Sequence, residues 1–381
     1  MSNVVSRGRG FQRLLLSGAV LIGLLILNVV FARPDYNWDM LAYVAIAHEL
    51  SGDAGATAHQ RTYEQLRTRV SAADYQRLTE SNSYRALVAR DAQAFSQQLP
   101  GYRVKIVYPW LIAQLETRGF DPFDASELIA KLAYVALGLV VMAWLGTFLP
   151  ALPAVMAAWL VMSLTFMLDL ARLSTPDALS TLVVMTGLFL TFHARRYAAA
   201  LALLIAGIAV RPDNVVWLAA VGAILVWRVR ANRLVTGTAV ASGVALVWLL
   251  GRWAGSPSWA TLFHHAFVGF VPYQLDVPPT LQLPDYLRVY LRESHPANLP
   301  PFLLLFALVG GLVFWVRLRL LGKQDSWVEL LGTSALFGLG HWLIYPNDDR
   351  FFAAAYLTIM IAFVNTAWLL TRPRPTPVAT V

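Results

Sequence analysis

Residues 14–32 read LLLSGAVLIGLLILNVVFA, an apolar run that directly follows Arg7, Arg9 and Arg13. A run of this length is sufficient for one helical crossing of a bilayer. Basic residues before an apolar core are also typical of a secretory signal peptide. Because many further apolar runs follow it, the sequence favours a retained membrane anchor. The stretch therefore indicates an all-α, multi-pass membrane protein.

The composition agrees with this fold class. Of the 381 residues, 57% are hydrophobic and only 14% are charged, whereas a soluble domain of this size needs more charge to cover its surface. Hydropathy predicts about ten spans of roughly 15–22 residues each. They lie near 14–32, 126–148, 151–168, 178–194, 197–210, 213–227, 234–251, 300–316, 327–345 and 351–370. The short segments around 197–227 also fit half-buried or tilted hairpin helices.

Basic residues predict the orientation of these spans. With a cytoplasmic N-terminus, every short inside loop except the tight turn near Pro150 is basic, as the positive-inside rule requires. The residues concerned are Arg7, Arg9, Arg13, Arg195, Arg196, Arg228, Arg230, Arg233, Arg317, Arg319, Lys323, Arg372 and Arg374. This distribution accounts for much of the net charge of +8 without a nucleic-acid partner. The sequence contains no cysteine, so the external segments are expected to fold without disulfides.

The chain reads as a single membrane domain, 1–381, with two long segments on the outside. Segment 33–125 is polar and has a helical pattern, and segment 252–299 is rich in proline and aromatic residues. Residues 371–381 read as a cytoplasmic tail that is rich in Pro and Arg.

Ionisable residues gather at the predicted outer ends of the spans. They are Asp39, then Asp169 and Asp177 with Arg172, then Arg211 with Asp213, and finally Asp348, Asp349 and Arg350. Ionisable groups at membrane depth are costly, which points to function. Several spans also direct their N-termini outward. Helix N-termini together with arginines are suited to holding a phosphate or diphosphate.

Each acid also has a purely structural interpretation. Asp39 can N-cap a helix that starts at Met40, a role that is compatible with catalysis. Thr175-Pro176-Asp177 has the order of a cap, a first-turn proline and a first-turn acid. Asp213 and the run 347–349 can start helices in the same way. His264 and His265 lack the partner spacing of a metal site, which favours a packing or interfacial role.

Four short motifs resemble one enzyme family. Asp39-x-x-x-Tyr43-x-x-x-Ala47, after the first span, resembles the "DExxYxxxA" start of the first external loop of GT-C glycosyltransferases. The match is to the protein O-mannosyltransferase and aminoarabinose-transferase branch, although Met40 replaces the family's second acid. Segment 102–122 resembles the external helix before the second span of bacterial members. AVRPDN (209–214) resembles the family's "TRPE" turn, and HWLIYPNDDRFF (341–352) resembles its "H…P…RY" entry to a late span.

The resemblance implies an inverting glycosyltransferase in the plasma (inner) membrane of a bacterium. Such enzymes pass a sugar from a polyprenyl-phosphate donor to a lipid, glycan or protein acceptor at the extracytoplasmic face. Asp39 would be the general base. Arg211 and Arg350 would stabilise the lipid phosphate as it leaves. Tyr43, Arg172 and His341 would contribute to substrate binding.

The second acid of the family would be Asp169 or Asp177, and the sequence does not choose between them. That acid would either orient the acceptor or bind a divalent ion such as Mg²⁺ or Mn²⁺. Because the sequence does not choose between these roles, it assigns no metal cofactor. Aromatic residues of segment 252–299 would stack on sugar rings or cover the lipid chain of the donor. They are Trp259, Tyr273, Tyr286 and Tyr290.

Three other classes compete with this reading. An O-antigen-type polymerase is also multi-span, but it is expected to carry an arginine-rich external loop and no acid directly after the first span. A transporter or flippase of lipid-linked sugars predicts ionisable residues in mid-span. Here the charges cluster at one face, with Lys131 the nearest exception, and Glu127, four residues before it, can pair with it. A non-catalytic scaffold would tolerate Asn in place of Asp39.

The topology can be tested directly. Reporter fusions at positions 90 and 280 should both report the external side. A cytoplasmic signal at position 90 or 280 would overturn the placement of every acid named above.

Overall fold

The computed structural model describes residues 2–53, 55–227, 233–295, 297–322, 325–346 and 348–372, with side chains from Leu15 onward. Arg228, Arg230, Lys323, Asn347, Arg374 and residues 373–381 of the predicted tail lie outside this description. Within it the fold is helical throughout. The backbone forms no strand there beyond one isolated bridge between Asp35 and Leu173.

The helices follow the predicted order of apolar and polar segments. The first segment and the polar segment after it form α1 (Ser2–Phe31), α2 (Asp39–Leu50), α3 (Ala56–Arg69), α4 (Ala72–Glu80), α5 (Ser83–Arg90), α6 (Ala92–Ser96), α7 (Leu99–Arg103) and α8 (Val107–Glu116). The next part forms α9 (Pro122–Leu145), α10 (Ala151–Met162), α11 (Thr165–Arg172), α12 (Asp177–Phe192), α13 (Tyr197–Ile208), α14 (Asn214–Trp227) and α15 (Arg233–Ala254). The last part forms α16 (Trp259–Phe267), α17 (Leu283–Glu293), α18 (Leu303–Leu320), α19 (Ser326–Ile344), a 3₁₀ turn (Asp349–Phe352) and α20 (Ala353–Thr371).

All ten predicted apolar segments are helical, but ten spans are not confirmed. Four helical stretches in the described chain are long and apolar enough to cross a membrane: α9, α15, α18 and the 3₁₀ turn with α20. A fifth is available if α10 and α11, which meet at a 72° bend, count as one span. The apolar helices α12, α13 and α14 have 16, 12 and 14 residues. At 1.5 Å per residue, they fall short of a hydrocarbon core of about 30 Å.

The polar segment 33–125 is helical, as predicted, and three of its helices, α4, α5 and α6, begin at side-chain caps. Each capping oxygen accepts a hydrogen bond from a backbone N–H two or three residues ahead, which satisfies donors that the helix leaves free. The caps are Ser71, Asn82 and Asp91, and Asp121 does the same for α9. Local sequence therefore sets where these helices start.

Helix α9 occupies the centre of the apolar core, where α1, α8, α10, α11 and α12 pack around it. A polar residue in the first apolar run joins this core. The Asn28 amide donates to Tyr134 Oη at 3.2 Å and to Ser163 Oγ at 3.0 Å. The predicted pair on α9 is confirmed, since Lys131 Nζ donates to Glu127 Oε2 at 2.9 Å. Helix α1 is thus packed into the bundle.

Charged residues lie at both ends of the last three helices. At one end, the buried Arg317 of α18 donates to Asp325 just before α19, and to Asn365 and Thr366 of α20. At the other end, α19 finishes and the 3₁₀ turn leads into α20. The starts of α2, α12 and α14 meet this second end, and the candidate site lies there.

Candidate functional site

The side chain of Asp39 does not cap helix α2. Trp38 occupies the N-cap position and makes no side-chain capping bond, and the backbone N–H of Asp39 donates to Asn37 Oδ1 at 3.0 Å. The capping interpretation of Asp39 is therefore wrong. Its carboxylate instead accepts hydrogen bonds from Tyr102 Oη at 3.0 Å and from Arg350 Nη2 at 3.1 Å.

Arg350 joins Asp39 to a longer row of alternating charges. Its Nη1 lies 3.5 Å from Asp177 Oδ2, and Arg211 contacts the other oxygen of Asp177. Arg211 then binds Asp213 through two parallel hydrogen bonds, from Nε at 3.0 Å and from Nη2 at 2.9 Å. We call Asp39, Arg350, Asp177, Arg211 and Asp213 the ion-pair chain.

Burial differs along the ion-pair chain. The Asp177 side chain is only 3% exposed, whereas that of Asp39 is 23% exposed. Thr175 Oγ1 also donates to Asp177 Oδ2 at 2.6 Å. A buried carboxylate that is held by two arginines and a hydroxyl is suited to positioning those arginines. Asp39 is the more accessible of the two acids for an incoming group.

Electrostatic balance is close to neutral across the ion-pair chain. Burial alone would raise the pKa of Asp213, but the charge and hydrogen bonds of Arg211 outweigh burial and lower that pKa to about 2. Three carboxylates and two guanidinium groups leave one negative charge. Two neighbours add one charge of each sign: Lys105 stands close enough to affect Asp177 and Asp213, and Asp348 Oδ2 lies 3.7 Å from Arg350 Nε.

Lys105 is a site residue that the sequence analysis missed. Its Nζ donates to Tyr43 Oη at 2.9 Å and lies 5.2 Å from the centre of the Tyr102 ring. Burial, and then repulsion from Arg211, lower the pKa of Lys105 to about 8. The available signal was a single lysine within the apolar and aromatic stretch YRVKIVYPW (102–110).

Aromatic groups support the two arginines. Arg211 Cζ lies 4.3 Å and Arg350 Cζ 4.9 Å from the centre of the Phe351 ring. Both distances are within the range of cation–π contacts. His341 is buried beside this ring, and its Nδ1 lies 3.7 Å from Asp213 Oδ2. Neither ring nitrogen of His341 has a hydrogen-bond partner among the residues that the structure describes.

A polar cavity opens beside the ion-pair chain, between α12, α14 and the start of α20. Its lining includes Asp177, Ser180, Arg211, Asn214 and Arg350. The Nε and Nη1 atoms of Arg350 are buried and have no hydrogen-bond partner in the described chain. They lie 3.7 Å from Asp348 Oδ2 and 3.5 Å from Asp177 Oδ2, which are ion-pair contacts without a hydrogen bond. A guanidinium whose N–H donors make no hydrogen bond is suited to binding an oxyanion, because planar N–H forks match phosphate oxygens.

The structure separates the predicted site residues into two groups. Asp39, Tyr43, Asp177, Arg211, His341 and Arg350 lie together in and around the ion-pair chain. Asp169 and Arg172 pair with each other at 3.2 Å, and Arg172 Nε also donates to Arg33 O. The ion-pair contacts of the described residues do not link this pair to the chain. Of the two candidate second acids, Asp177 is the one beside Asp39.

The donor set of the ion-pair chain does not fit a divalent cation. The carboxylates of Asp39, Asp177 and Asp213 are each paired with a guanidinium group, so arginines take the places that a cation would fill. Across the described ranges, no group of three His, Cys, Asp or Glu side chains has the arrangement of a metal site. No step below is assigned to Mg²⁺ or Mn²⁺.

Compared with known proteins, the chain matches no family model and no curated protein.

The ion-pair chain predicts unequal costs for removing two arginines. Arg211→Met leaves Asp177 and Asp213 without their shared partner, and breaking a buried pair costs about 3–5 kcal/mol. Arg172→Met breaks the half-exposed pair with Asp169, worth about 0–1 kcal/mol, and the hydrogen bond to Arg33 O, worth about 0.5–1.5 kcal/mol. Thermal unfolding of both variants in detergent measures the difference. Equal losses would contradict the assignment of Arg211 as a buried clamp.

Proposed function

We propose that this protein is an inverting glycosyltransferase of the GT-C kind. It would move a sugar from a polyprenyl-phosphate donor to a lipid, glycan or protein acceptor at the extracytoplasmic face of the plasma membrane. The observation that carries the proposal is the contact between Asp39, after the first apolar segment, and Arg350, 311 residues later at the entry to the last one. It places a partly exposed carboxylate beside guanidinium groups at one end of apolar helices.

Asp39 is the proposed general base. An acceptor hydroxyl or amine attacks the anomeric carbon from the face opposite the phosphate. A bond from its oxygen or nitrogen to that carbon forms as the carbon–oxygen bond to the phosphate breaks. The leaving phosphate oxygen takes the electron pair of the broken bond, and Asp39 takes the proton of the acceptor. The Tyr102 hydroxyl, bonded to Asp39 Oδ1 at 3.0 Å, fixes the orientation of the carboxylate.

The phosphate of the donor is the proposed partner of Arg350, Arg211 and Lys105. A lipid phosphate leaves as an anion, so positive charge assists it more than a proton does. Arg350 Nε and Nη1, which make ion-pair contacts with Asp348 and Asp177 but no hydrogen bond, would bind phosphate oxygens, and the added negative charge would weaken the pairing of Arg350 with Asp39. Donor binding would thereby release the carboxylate that acts as base.

Asp177 has a positioning role in this proposal. It is too buried to meet an acceptor, but it contacts both Arg211 and Arg350. Its position beside Asp39 supports the role of second acid better than that of Asp169. The membrane arrangement proposed with this chemistry is the GT-C-like one, with about ten apolar helices and both termini in the cytoplasm.

Asp39→Asn should separate the proposed chemistry from binding. Asn keeps the shape of the side chain but cannot accept the proton, so transfer should fall roughly 10²–10⁴-fold. Transfer is measured with polyprenyl-phosphate sugars in membranes that contain acceptors, and donor binding is measured in parallel. Asp169→Asn is the matched control, because Asp169 lies outside the ion-pair chain, and it should transfer at the wild-type rate.

Transfer by Asp39→Asn within a few-fold of wild type would exclude Asp39 as the base. A wild-type protein that moves the donor from one leaflet of a vesicle membrane to the other, but transfers no sugar, would indicate a flippase instead.

Lys105 predicts a pH dependence of donor binding. Its pKa of about 8 means that it carries its charge below pH 8 and loses the charge as the pH rises through that value. The donor is a phosphodiester, whose charge does not change in this range. Affinity should therefore fall between about pH 7 and 9, by roughly 10–100-fold for one charge-assisted hydrogen bond.

Lys105→Arg should abolish this fall in affinity, because a guanidinium group stays charged throughout the range. Lys105→Gln should bind weakly at every pH. Lys131→Arg, on the Glu127 pair away from the site, should keep the wild-type profile. A wild-type profile in Lys105→Arg would exclude Lys105 as the titrating group.

A further inference from the structure

Helix α17 exposes a stripe of three leucines. Leu283, Leu287 and Leu291 are spaced by four residues, so they share one face of the helix, and they are 69%, 53% and 77% exposed. The opposite face packs on the protein, where Val289 is buried and Tyr290 lies over Phe263 with ring centres 6.1 Å apart. Helix α17 therefore has a packed side and an apolar side that no described residue covers.

Three hydrogen bonds join α16 and α17 to the C-terminal end of α19. Tyr286 Oη and Tyr290 Oη donate to the carbonyl of Leu343 at 2.9 and 2.5 Å. Trp259 Nε1 donates to the carbonyl of Ile344 at 3.0 Å. Leu343 and Ile344 are the last two residues of α19, so α17 lies across the end of that helix.

Apolar exposure continues along the chain into a membrane-crossing helix. Helix α17 ends at Glu293, and α18, which is long and apolar enough to span a bilayer, begins at Leu303. The large exposed residues of α18 are Leu304, Leu305, Leu308, Leu312, Trp315 and Leu320. A helix that lies at the entry to such a span, with its leucines turned away from the protein, faces the boundary between lipid and water.

We propose that α17 lies flat in the bilayer surface, with the leucine stripe inserted among the acyl chains. The partner is the lipid leaflet itself. Its attraction is apolar rather than electrostatic, because the two acids and two arginines of α17 cancel. Arg288 pairs with Asp285 at 3.0 Å and Arg292 with Glu293 at 2.7 Å. Insertion should therefore not require anionic lipids.

If α17 is inserted in this way, it would hold the neighbouring helix α16 close to the ion-pair chain at the membrane surface. Phe267 of α16 packs edge-on against Tyr345 at 4.7 Å, and Tyr345 lies close enough to Asp39 and Arg350 to feel their charges. The inference concerns this anchor alone and does not depend on the proposed transfer reaction.

The absence of cysteine permits a direct test on the full-length protein. Single variants Leu287→Cys and Leu291→Cys are labelled with bimane and reconstituted in phosphatidylcholine vesicles, with and without phosphatidylglycerol. Arg288→Cys is the matched control on the same helix, and Leu308→Cys is the reference for a lipid-facing residue of α18. Two independent leucine positions guard against a variant that does not fold.

The labels at 287 and 291 should be quenched severalfold more than the label at 288 by lipids brominated on the acyl chain. Quenching should be the same with and without phosphatidylglycerol. Equal quenching of positions 287 and 288 by aqueous iodide would overturn the proposal. Loss of acyl-chain quenching without anionic lipid would also overturn it, as would cross-linking between two copies through position 287.

Discussion

The architecture of the site depends on one buried guanidinium group. Arg350 enters from the turn before the last helix and contacts Asp39 at the start of α2 and Asp177 at the start of α12. Removing charges from water is costly unless each has a partner, so the three elements must meet for any of them to be buried. Arg211 extends the same requirement to the α13–α14 turn. The ion-pair chain is thus both a structural clamp and the candidate site.

A structural clamp and a substrate site make different demands on the same charges. A clamp is most stable when every donor is used, as in the Arg317 cluster, where the guanidinium is bonded to Asp325, Asn365 and Thr366. Arg350 differs, because two of its buried nitrogens have no hydrogen-bond partner within the described residues. Unmade hydrogen bonds of a buried group are costly, and an oxyanion is the ligand that would satisfy them. This contrast within one molecule supports a binding role for Arg350.

Membrane contact places a second constraint on the fold. Helices α10 and α11 break at 72°, and several other apolar helices are short, so the bundle is not a simple set of full crossings. At the bend after α10, Ser163 accepts a hydrogen bond from Asn28 of α1, which also donates to Tyr134 of α9. Arg350 and Arg211 join the starts of α12 and α14 to the start of α2. Hydropathy reports the length of an apolar segment but not a bend such as the one between α10 and α11. For this reason the sequence predicts ten spans, and the structure does not confirm that number.

The sequence by itself determined the properties that depend on near neighbours. The helical character of all ten apolar segments and of 33–125 follows from local hydropathy and from caps such as Ser71, and the Lys131–Glu127 pair follows from helical spacing. Only the tertiary structure decided that Asp177 rather than Asp169 lies beside Asp39, that Asp39 does not cap its helix, and that Lys105 belongs to the site. These facts depend on which distant charge occupies the space beside each side chain, and local patterns carry no information about that.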